Sequence, residues 1–328
     1  MENITQKIKE KNLLGRSGSM FPVALKWETV KNCRADKKYV ICNASEGEME
    51  TFKDYFLLKN HAEAVIDGIK TAVDYLEAEK GYIYLNKDYY HELYLSLIDK
   101  VGEKIEIIEK RGGYVGGEET SVIEAIEGCA PEPRVKPPFP AEKGLWGYPT
   151  LVNNVETFYC VSKIKEGSYE NNRFYSIGGD APNKGVFQFK EDITVKELLN
   201  ETGNNPSFNY FLQVGGGACG EIFLPEETER KVEGLGAIVI YDKEKTDSYS
   251  LMKKWIVFLL EGNCDKCTPC REGLYRIMEM IEKRKFNEIE DMFFVMEKTS
   301  LCPLGKVAVK PFKSLLDKII FSEDGSHN

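Results

Sequence analysis

The sequence predicts an α/β domain with a mostly parallel sheet, then a small β-rich domain, then a C-terminal helical bundle. In the N-terminal half, short buried strands alternate with amphipathic helices, which is the pattern of parallel sheets. Between Phe174 and Val239, short apolar runs surround a single helix. Near the C-terminus, amphipathic segments follow one another with cysteines at their junctions. These patterns predict domains at residues 1–165, 166–245 and 246–328.

The α/β prediction depends on three strands and two helices. The strands are predicted at Lys38–Cys42, Tyr82–Leu85 and Ile105–Glu109, and the helices at Phe52–Leu76 and Tyr89–Val101. Their alternation predicts a sheet in which neighbouring strands run the same way.

Two polar segments of this half suit ligand contacts. The glycine-rich segment Gly15–Pro22 lies close to Lys26 and could offer backbone N–H groups to a phosphate, although an ordinary surface turn is the alternative. The segment Asn43–Glu48 follows the first strand, at the strand end where open α/β sheets bind their ligands.

A third polar stretch follows the predicted α/β elements. It contains the blocks Tyr114–Thr120, Glu132–Pro140 and Val152–Thr157. Five prolines between Pro131 and Pro140 are too many for a helix or a central strand. One interpretation is a stiff surface linker, but a linker does not account for the paired glutamates and paired asparagines beside it.

The middle of the chain suits a β-grasp-like domain. One helix is predicted at Val195–Glu201, with strands at Val186–Phe189, Phe211–Val214 and Ala237–Ile240. The run Gly215–Gly220 fits the pattern GxGxxG, but a dinucleotide fingerprint must open a helix and the residues after this run do not. We therefore predict a tight glycine turn.

The cysteines near the C-terminus indicate a metal centre. Cys264, Cys267 and Cys270 have CxxCxxC spacing, and Cys302 precedes a proline, as the last ligand of an iron–sulfur cluster often does. Four thiolates also suit tetrahedral zinc, but zinc sites usually pair their cysteines or add histidine. The sequence therefore favours a [4Fe–4S] cluster over zinc.

Helices are predicted around these cysteines. They are expected at Leu251–Glu261, from Thr268 as N-cap with Pro269 at the first helical position, at Ile289–Lys298 and at Val307–Ile320. Four short helices of this kind suggest a small bundle.

Composition excludes several classes of protein. The net charge of −9, with no basic stripe, argues against nucleic acid as a partner. No apolar run approaches the ~20 residues that span a membrane, and the polar N-terminus resembles no export signal. Nine cysteines without an export signal predict a cytoplasmic protein, in which a cysteine cluster more often binds metal than forms disulfides.

Several blocks together resemble a known family. The blocks are GEET at 117–120, KPPFP at 136–140, VNNVET at 152–157 and CTPCREG at 267–273. In this order they resemble the NADH-binding flavoprotein subunits of respiratory complex I, NAD-linked hydrogenases and formate dehydrogenases, from about Leu13 to the C-terminus. The resemblance implies a Rossmann-like FMN domain, hydride transfer between NAD(H) and FMN, and electron transfer through a [4Fe–4S] cluster.

The resemblance also implies the residues of each site. The implied FMN contacts are Gly15, Arg16, Gly18, Lys26, Asn43, Glu46, Tyr114, Gly117, Glu118, Asn153, Asn154 and Thr157. The implied NADH contacts are Phe21, Glu48, Glu119, Lys136 and Phe139, of which Glu48 and Glu119 are the predicted catalytic carboxylates. A carboxylate beside the ribose, here Glu48, would favour NADH over NADPH. The implied cluster ligands are Cys264, Cys267, Cys270 and Cys302.

The chain departs from the family pattern in its first loop. Ser17 and Met20 stand where the family has glycine, and Ser45 and Gly116 replace an acidic residue and a cysteine. If Ser17 or Met20 needs a positive φ, its side chain costs on the order of 1 kcal/mol or more.

The resemblance implies partner subunits that carry further iron–sulfur clusters, such as a thioredoxin-like 2Fe-2S subunit or a hydrogenase or formate dehydrogenase module. It implies neither nucleic acid nor direct membrane insertion. Two alternatives remain: a non-catalytic electron relay or scaffold with a degenerate nucleotide site, and a zinc-stabilised binding module.

Overall fold

The computed structural model describes residues 4–321, in two compact units. The first unit comprises the chain up to Gly47, Phe52–Gly112 and Gly116–Asn172. The second comprises Glu48–Thr51, Gly113–Val115 and the chain from Arg173.

A four-stranded parallel sheet forms the centre of the first unit. Its strands are β1 (Tyr39–Ala44), β2 (Lys80–Leu85), β3 (Ile105–Glu109) and β4 (Thr150–Asn154), in the order β3-β2-β1-β4. Each neighbouring pair is parallel. Strand β1 is almost continuously buried, as expected for a strand covered on both faces. The predicted parallel α/β domain is therefore confirmed.

The helices of this unit precede or connect the strands. They are α1 (Ile4–Glu10), α2 (Val23–Asn32), α3 (Lys53–Asn60), α4 (Ala62–Leu76), α5 (Lys87–Val101), α6 (Glu119–Ile126), α7 (Pro140–Lys143) and α8 (Val155–Glu166). The apolar face of α4 packs on β1, β2 and α8.

The prediction of one continuous helix over Phe52–Leu76 is wrong. The chain leaves the helical conformation at His61, whose φ and ψ are −133° and 28°, and the helix divides into α3 and α4. The His61 ring lies 5.8 Å from the ring of Phe56 and 5.5 Å from that of Tyr159, between ring centroids. Tertiary packing at His61 thus overrides an unbroken helical pattern.

The polar block at Val152–Thr157 lies within two regular elements. This stretch contains the end of β4 and the start of α8. Asn154 closes the strand and caps the helix, since its side-chain oxygen accepts a hydrogen bond from the Glu156 N–H at 3.0 Å. A cap at the end of a buried strand explains the polar residues there.

A mixed five-stranded sheet and one helix form the first part of the second unit. The strands are β5 (Asn172–Gly179), β6 (Gly185–Lys190), β7 (Tyr210–Val214), β8 (Glu221–Phe223) and β9 (Ala237–Asp242), in the order β6-β5-β9-β7-β8. Strands β5 and β9 are parallel, and β7 is antiparallel to both β8 and β9. The helix α9 (Val195–Glu201) covers the predicted range and begins with a capping box of Thr194 and Glu197.

Five α-helices follow among the residues that the structure describes. They are α10 (Ser248–Gly262), α11 (Thr268–Glu282), α12 (Ile289–Thr299), α13 (Pro303–Val307) and α14 (Lys310–Leu315). Their shared core contains fully buried Trp255, Ile277, Phe293 and Phe312. Among the described residues, no helix is both long and apolar enough to cross a membrane.

Two helical predictions are corrected here. The N-cap of α11 is Cys267, so Thr268 already lies within the helix. The helix predicted at Val307–Ile320 is divided into α13, α14 and a π-helical turn at Leu316–Ile320, with Pro311 in the first turn of α14. A proline lacks the N–H that a continuous helix would need at that point.

Candidate functional site

The carboxyl edge of the parallel sheet gathers predicted flavin contacts. Asn43 of β1 lies in register with Asn154 of β4, and Cys42 with Asn153. Asn43 Nδ2 donates a hydrogen bond to the Gly117 carbonyl at 2.9 Å. Residues from three separate segments of the sequence therefore meet at one edge of the sheet.

Ser45 and Gly117 approach each other closely at this edge. Ser45 Oγ donates a hydrogen bond to Asn43 Oδ1. A Cβ on Gly117 would lie 2.8 Å from Ser45 Oγ, so a side chain there would displace the serine hydroxyl. Ser45, which the sequence identified only as a departure from the family, is thus part of the site.

Asn153 is buried, and its amide is engaged within the protein. In the amide orientation that satisfies its hydrogen bonds, Oδ1 accepts from Trp27 Nε1 at 2.9 Å and Nδ2 donates to the Val152 carbonyl at 3.0 Å. Asn153 therefore fixes Trp27 of α2 against the sheet.

The glycine-rich segment before α2 folds back on itself. Gly15 N donates to the Phe21 carbonyl at 2.9 Å, and Leu14 bridges Pro22. Gly18 has φ of 86° and Met20 has φ of 50°. Of the two positions where the family has glycine, Met20 has a positive φ and Ser17 does not.

Arg16 lies deep beside α8. Its backbone N–H donates to Thr157 Oγ1 at 3.0 Å, and Nη2 donates to the Tyr169 hydroxyl at 2.9 Å. Only 2% of Arg16 is exposed, which makes it one of the largest buried side chains of the chain. Two of the separately implied FMN contacts, Arg16 and Thr157, are therefore in contact with each other.

Glu119 lies between two lysines. Lys26 Nζ is 3.2 Å from Glu119 Oε2, and Lys136 Nζ is 3.1 Å from Oε1. Burial alone would raise the pKa of Glu119, but the two ammonium groups outweigh it and lower the pKa below the usual value. Glu119 is therefore held as a carboxylate.

Glu118 caps the helix that begins at Glu119. Its carboxylate accepts hydrogen bonds from the backbone N–H groups of Thr120 at 2.8 Å and Ser121 at 3.1 Å. Lys136 Nζ lies 2.8 Å from its other oxygen. Lys136 thus joins both glutamates of the pair.

Glu46 lies at the N-terminus of α3. Its carboxylate accepts from the N–H groups of Asp54 at 3.1 Å and Tyr55 at 3.2 Å, and from the Tyr89 hydroxyl at 3.1 Å. Burial first, and the neighbouring Asp54 charge second, raise the pKa of Glu46 to about 7. Glu46 is a carboxyl group that can change its charge near neutral pH.

A buried ion cluster beside this edge was missed by the sequence analysis. Lys53, only 2% exposed, lies 2.6 Å from Asp54 Oδ1 and 3.3 Å from Glu156 Oε2. Asn154 Nδ2 donates to Asp54 Oδ2 at 2.6 Å. The signal was the adjacent opposite charges of Lys53 and Asp54 at the start of α3, to which the sequence analysis assigned no role.

Two predicted NADH contacts of the first unit are exposed aromatic rings. Phe21 is 46% exposed and Phe139 is 53% exposed. Exposed rings of this size are available for stacking on a planar ligand.

Glu48 and Tyr114 belong to the second unit, where they contact the glycine turn. Glu48 Oε1 accepts from the N–H groups of Ala218 and Cys219, the latter at 3.0 Å, and the Tyr114 hydroxyl donates to Oε2. Gly216 in this turn has φ of 139°, and a Cβ there would lie 2.7 Å from Glu48 Oε1. The predicted tight turn is confirmed, and its backbone N–H groups bind a carboxylate of the same chain.

The four cysteines lie at helix starts and in the loop between α10 and α11. Cys267 precedes α11 and Cys302 precedes α13, whereas Cys270 lies in the first turn of α11. Burial first, then the neighbouring Cys267 and Cys302, raise the pKa of the Cys270 thiol to about 12. These three sulfurs therefore share one environment.

The fit of these residues to a cluster can be judged from their surroundings. A Cβ on Gly305 would lie 2.4 Å from Cys270 Sγ, so glycine keeps the space at that sulfur free. Among the described residues, no three potential ligands already stand in metal-binding geometry. The donor set, which is four thiols around helix starts, nevertheless suits an iron–sulfur cluster.

Comparison with known proteins identifies a family for the N-terminal half of the chain and another for its C-terminal helices. Residues 8–163 match the family model described as the Nuo51 FMN-binding domain. Residues 250–324 match the model described as the NADH-ubiquinone oxidoreductase-F iron-sulfur binding region.

Individual relatives agree with these matches. The chain is 30% identical to a subunit of the NADH-quinone oxidoreductase of Aquifex aeolicus, over 97% of this chain and 84% of that protein. It is 32% identical to the NAD-reducing hydrogenase HoxS subunit alpha of Cupriavidus necator, over 97% of this chain but 59% of that protein. Among solved structures, it matches NAD⁺-reducing [NiFe]-hydrogenase in the H₂-reduced state with a TM-score of 0.90 and 28% identity, over 96% of this chain and 61% of that one.

The fold and the two regions define a redox protein class with an FMN-binding domain and an iron–sulfur binding region. More particularly, the chain belongs to the family of the FMN-binding and iron–sulfur-binding subunits of NADH-quinone oxidoreductase, which also contains subunits of NAD-linked hydrogenases. The predicted family, and the predicted cofactors FMN and [4Fe–4S], are confirmed. The chain spans about three-fifths of the length of the NAD-reducing hydrogenase subunits that it matches.

Proposed function

We propose that the chain is an NADH-oxidising or NAD-reducing flavoprotein subunit of a multi-subunit oxidoreductase. The observation that carries this proposal is the meeting of Asn43, Gly117 and Asn154 at the carboxyl edge of a parallel sheet, within an FMN-binding domain. Bound FMN would exchange a hydride with NAD(H) and pass electrons singly to the cluster.

The FMN contacts that we propose are those implied by the sequence. For the phosphate and ribityl chain they are Gly15, Arg16, Gly18 and Lys26, and for the ring and its edges Asn43, Glu46, Tyr114, Gly117, Glu118, Asn153, Asn154 and Thr157. Supporting this set, Asn43 and Gly117 are joined by a hydrogen bond, as are Arg16 and Thr157. Binding contacts that are already oriented lose less entropy when the ligand binds.

For NAD(H) we propose contacts with Phe21, Glu48, Glu119, Lys136 and Phe139. The exposed rings supply stacking surface. Glu119, ionised between two lysines, orients both ammonium groups and keeps an acceptor for ribose hydroxyls. Glu48 Oε2 accepts one hydrogen bond, from the Tyr114 hydroxyl, and can accept one more, whereas Oε1 already accepts two from the glycine turn.

For the cluster we propose Cys264, Cys267, Cys270 and Cys302 as ligands. Each thiolate would form one bond to iron. The helix starts at Thr268 and Pro303 would direct backbone N–H groups towards the negatively charged centre.

The finer organisation is also a proposal. We assign residues 1–165 to the FMN and NADH domain, 166–245 to a β-grasp-like domain and 246–328 to a four-helix bundle around the cluster. Supporting this division, β5–β9 enclose their own core with α9, and α10–α14 share another. As partners we propose redox subunits with further iron–sulfur clusters, such as a thioredoxin-like 2Fe-2S subunit or a hydrogenase or formate dehydrogenase module.

One observation favours a second candidate, a relay or scaffold subunit that does not bind nucleotide. Met20 is 44% exposed and left-handed, beside Phe21 in the loop proposed for FMN and NADH. A side chain there could occupy space that a glycine would leave to the ligand.

Cofactor analysis of the anaerobically purified chain separates these functions. The proposed function requires one flavin and about four irons per chain, together with NADH-dependent reduction of an artificial dye. Iron without flavin would support the relay instead, and zinc in place of iron would contradict both.

A further inference from the structure

Lys110 lies at the same edge of the sheet as the proposed flavin contacts. It follows β3 directly, and its backbone N–H donates to the Leu85 carbonyl at the end of β2. Its Nζ donates to the Ser45 carbonyl at 3.2 Å. The ammonium group therefore reaches from β3 towards the segment after β1.

The ammonium group of Lys110 is partly buried and has no carboxylate partner among the described residues. Burial lowers its pKa to about 8. Lys53 shows the contrast, because Asp54 and Glu156 compensate its burial and raise its pKa. Removing a cation from water without an anion beside it raises the free energy of the folded protein. An unpaired, partly buried ammonium group at the ligand-binding edge of the sheet therefore indicates that the ligand supplies negative charge.

The neighbours of Lys110 indicate which part of the ligand this is. Its acceptor Ser45 is hydrogen-bonded to Asn43, which is bonded in turn to Gly117. A Cβ on Gly116 would lie 3.5 Å from Lys110 Cε and 2.5 Å from the Arg111 carbonyl. The Arg111 carbonyl therefore excludes a Cβ at 116, and the lysine stem lies against this glycine, next to residues proposed for the flavin ring rather than for its phosphate.

We propose that Lys110 is a further flavin-binding residue whose ammonium group contacts the electron-rich pyrimidine edge of the FMN ring. This inference rests on the proposed function. The pyrimidine edge carries carbonyl oxygens and gains negative charge on reduction, so a neighbouring cation stabilises reduced flavin more than oxidised flavin. Lys110 therefore holds the flavin and raises its midpoint potential.

The test compares Lys110→Met, Lys110→Arg and Lys104→Met in the full flavin-loaded chain. Lys104 is exposed at the other end of β3, so Lys104→Met removes the same charge away from the edge. The measurements are the FMN release rate after dilution, by flavin fluorescence, and the midpoint potential of the bound flavin by anaerobic redox titration.

We expect Lys110→Met to release FMN about tenfold faster, since a hydrogen bond to a charged group is worth at least that factor. Its flavin potential becomes more negative, and a tenfold preference for reduced flavin corresponds to about 30 mV for two electrons. Lys110→Arg keeps the parental potential, and Lys104→Met changes neither quantity.

Faster release with an unchanged potential would assign Lys110 to the phosphate and overturn the ring contact. Equal values for Lys110→Met and Lys104→Met would overturn the inference altogether. Lys110→Gln, judged by the same criteria, replaces the methionine variant if that variant does not fold. If the parent chain itself binds no flavin, the proposed function fails. That result differs from a failure of the Lys110 inference, in which the parent chain binds flavin and Lys110→Met behaves like Lys104→Met.

Discussion

Lys26 and Glu119 form an ion pair in which Nζ lies 3.2 Å from Oε2, and the same ammonium donates to the Val152 carbonyl at 2.9 Å. The pair therefore ties α2 to β4 and to the first residue of α6. Because Lys136 occupies the other oxygen, one carboxylate orients two cations.

Glu119→Gln should weaken NADH-dependent dye reduction at least tenfold, mainly through a higher KM for NADH, because Lys26 loses this carboxylate and Lys136 keeps only that of Glu118. Glu103→Gln is the control, since Glu103 is exposed away from the carboxyl edge of the sheet. An unchanged KM in the Glu119 variant would remove this residue from the NADH site.

The same variant has a pH signature. The folded-state pKa of Glu119 is lowered, so its charge stabilises the fold above the unfolded pKa of about 4.3. That stability is lost as the pH falls through the folded pKa. The difference in unfolding free energy between the parent and Glu119→Gln should therefore shrink in acid, as urea unfolding at several pH values will measure.

Met20→Gly should stabilise the chain by about 1 kcal/mol, because a left-handed backbone costs a residue with a Cβ that amount. Met20→Ala keeps the Cβ and is the matched control. The urea midpoint of each variant checks this, and equal midpoints for the glycine and alanine variants would contradict it.

The contribution of Glu46 to the unfolding free energy should have the opposite pH dependence from that of Glu119. Its folded-state pKa is raised to about 7, so its favourable contribution is fully present below the unfolded pKa of about 4.3 and is lost as the pH rises towards 7. Relative to the parent, Glu46→Gln should gain stability between pH 5 and pH 8. Parallel curves of unfolding free energy against pH for the two proteins would show that Glu46 is not buried with a raised pKa.

Glu48→Ala should destabilise the chain by about 2 to 4 kcal/mol, because it leaves the N–H groups of Ala218 and Cys219 and the Tyr114 hydroxyl without their acceptor. Tyr114→Phe removes only one hydrogen bond and should cost about 1 kcal/mol. Chemical denaturation of both variants tests this, and equal costs would mean that the glycine turn does not depend on Glu48.

Cys302→Ser should lose the cluster, because a serine oxygen is a poor substitute for a thiolate on iron. Cys129→Ser is the control, since Cys129 is an exposed thiol far from the cluster ligands in sequence. Iron analysis and the visible spectrum under anaerobic conditions measure the result. A full iron complement in Cys302→Ser would require another fourth ligand.

Local patterns predicted the regular elements well. The ranges of β3 and α9 were both predicted from the residues. Alternation of apolar and polar residues and a capping box are signals that lie within a few positions of the chain. His61 shows the limit, since nothing in an unbroken helical pattern reveals that its ring will pack between Phe56 and Tyr159.

The site was predicted from motifs, and its internal contacts were not. The bonds of Glu48 to Ala218 and Cys219 join residues about 170 positions apart, and sequence spacing carries no information on such contacts. Nothing in the sequence distinguishes Lys110 and Lys53 from exposed lysines. Their pKa shifts depend on burial, which is a property of the fold.

Anaerobic titration of the purified chain with NADH, followed through the flavin absorbance, tests the central claim most directly. The account predicts that about one equivalent of NADH bleaches the flavin, because bound FMN accepts one hydride from each nucleotide. A flavin that stays oxidised in excess NADH, or a folded chain that carries no flavin, would contradict it.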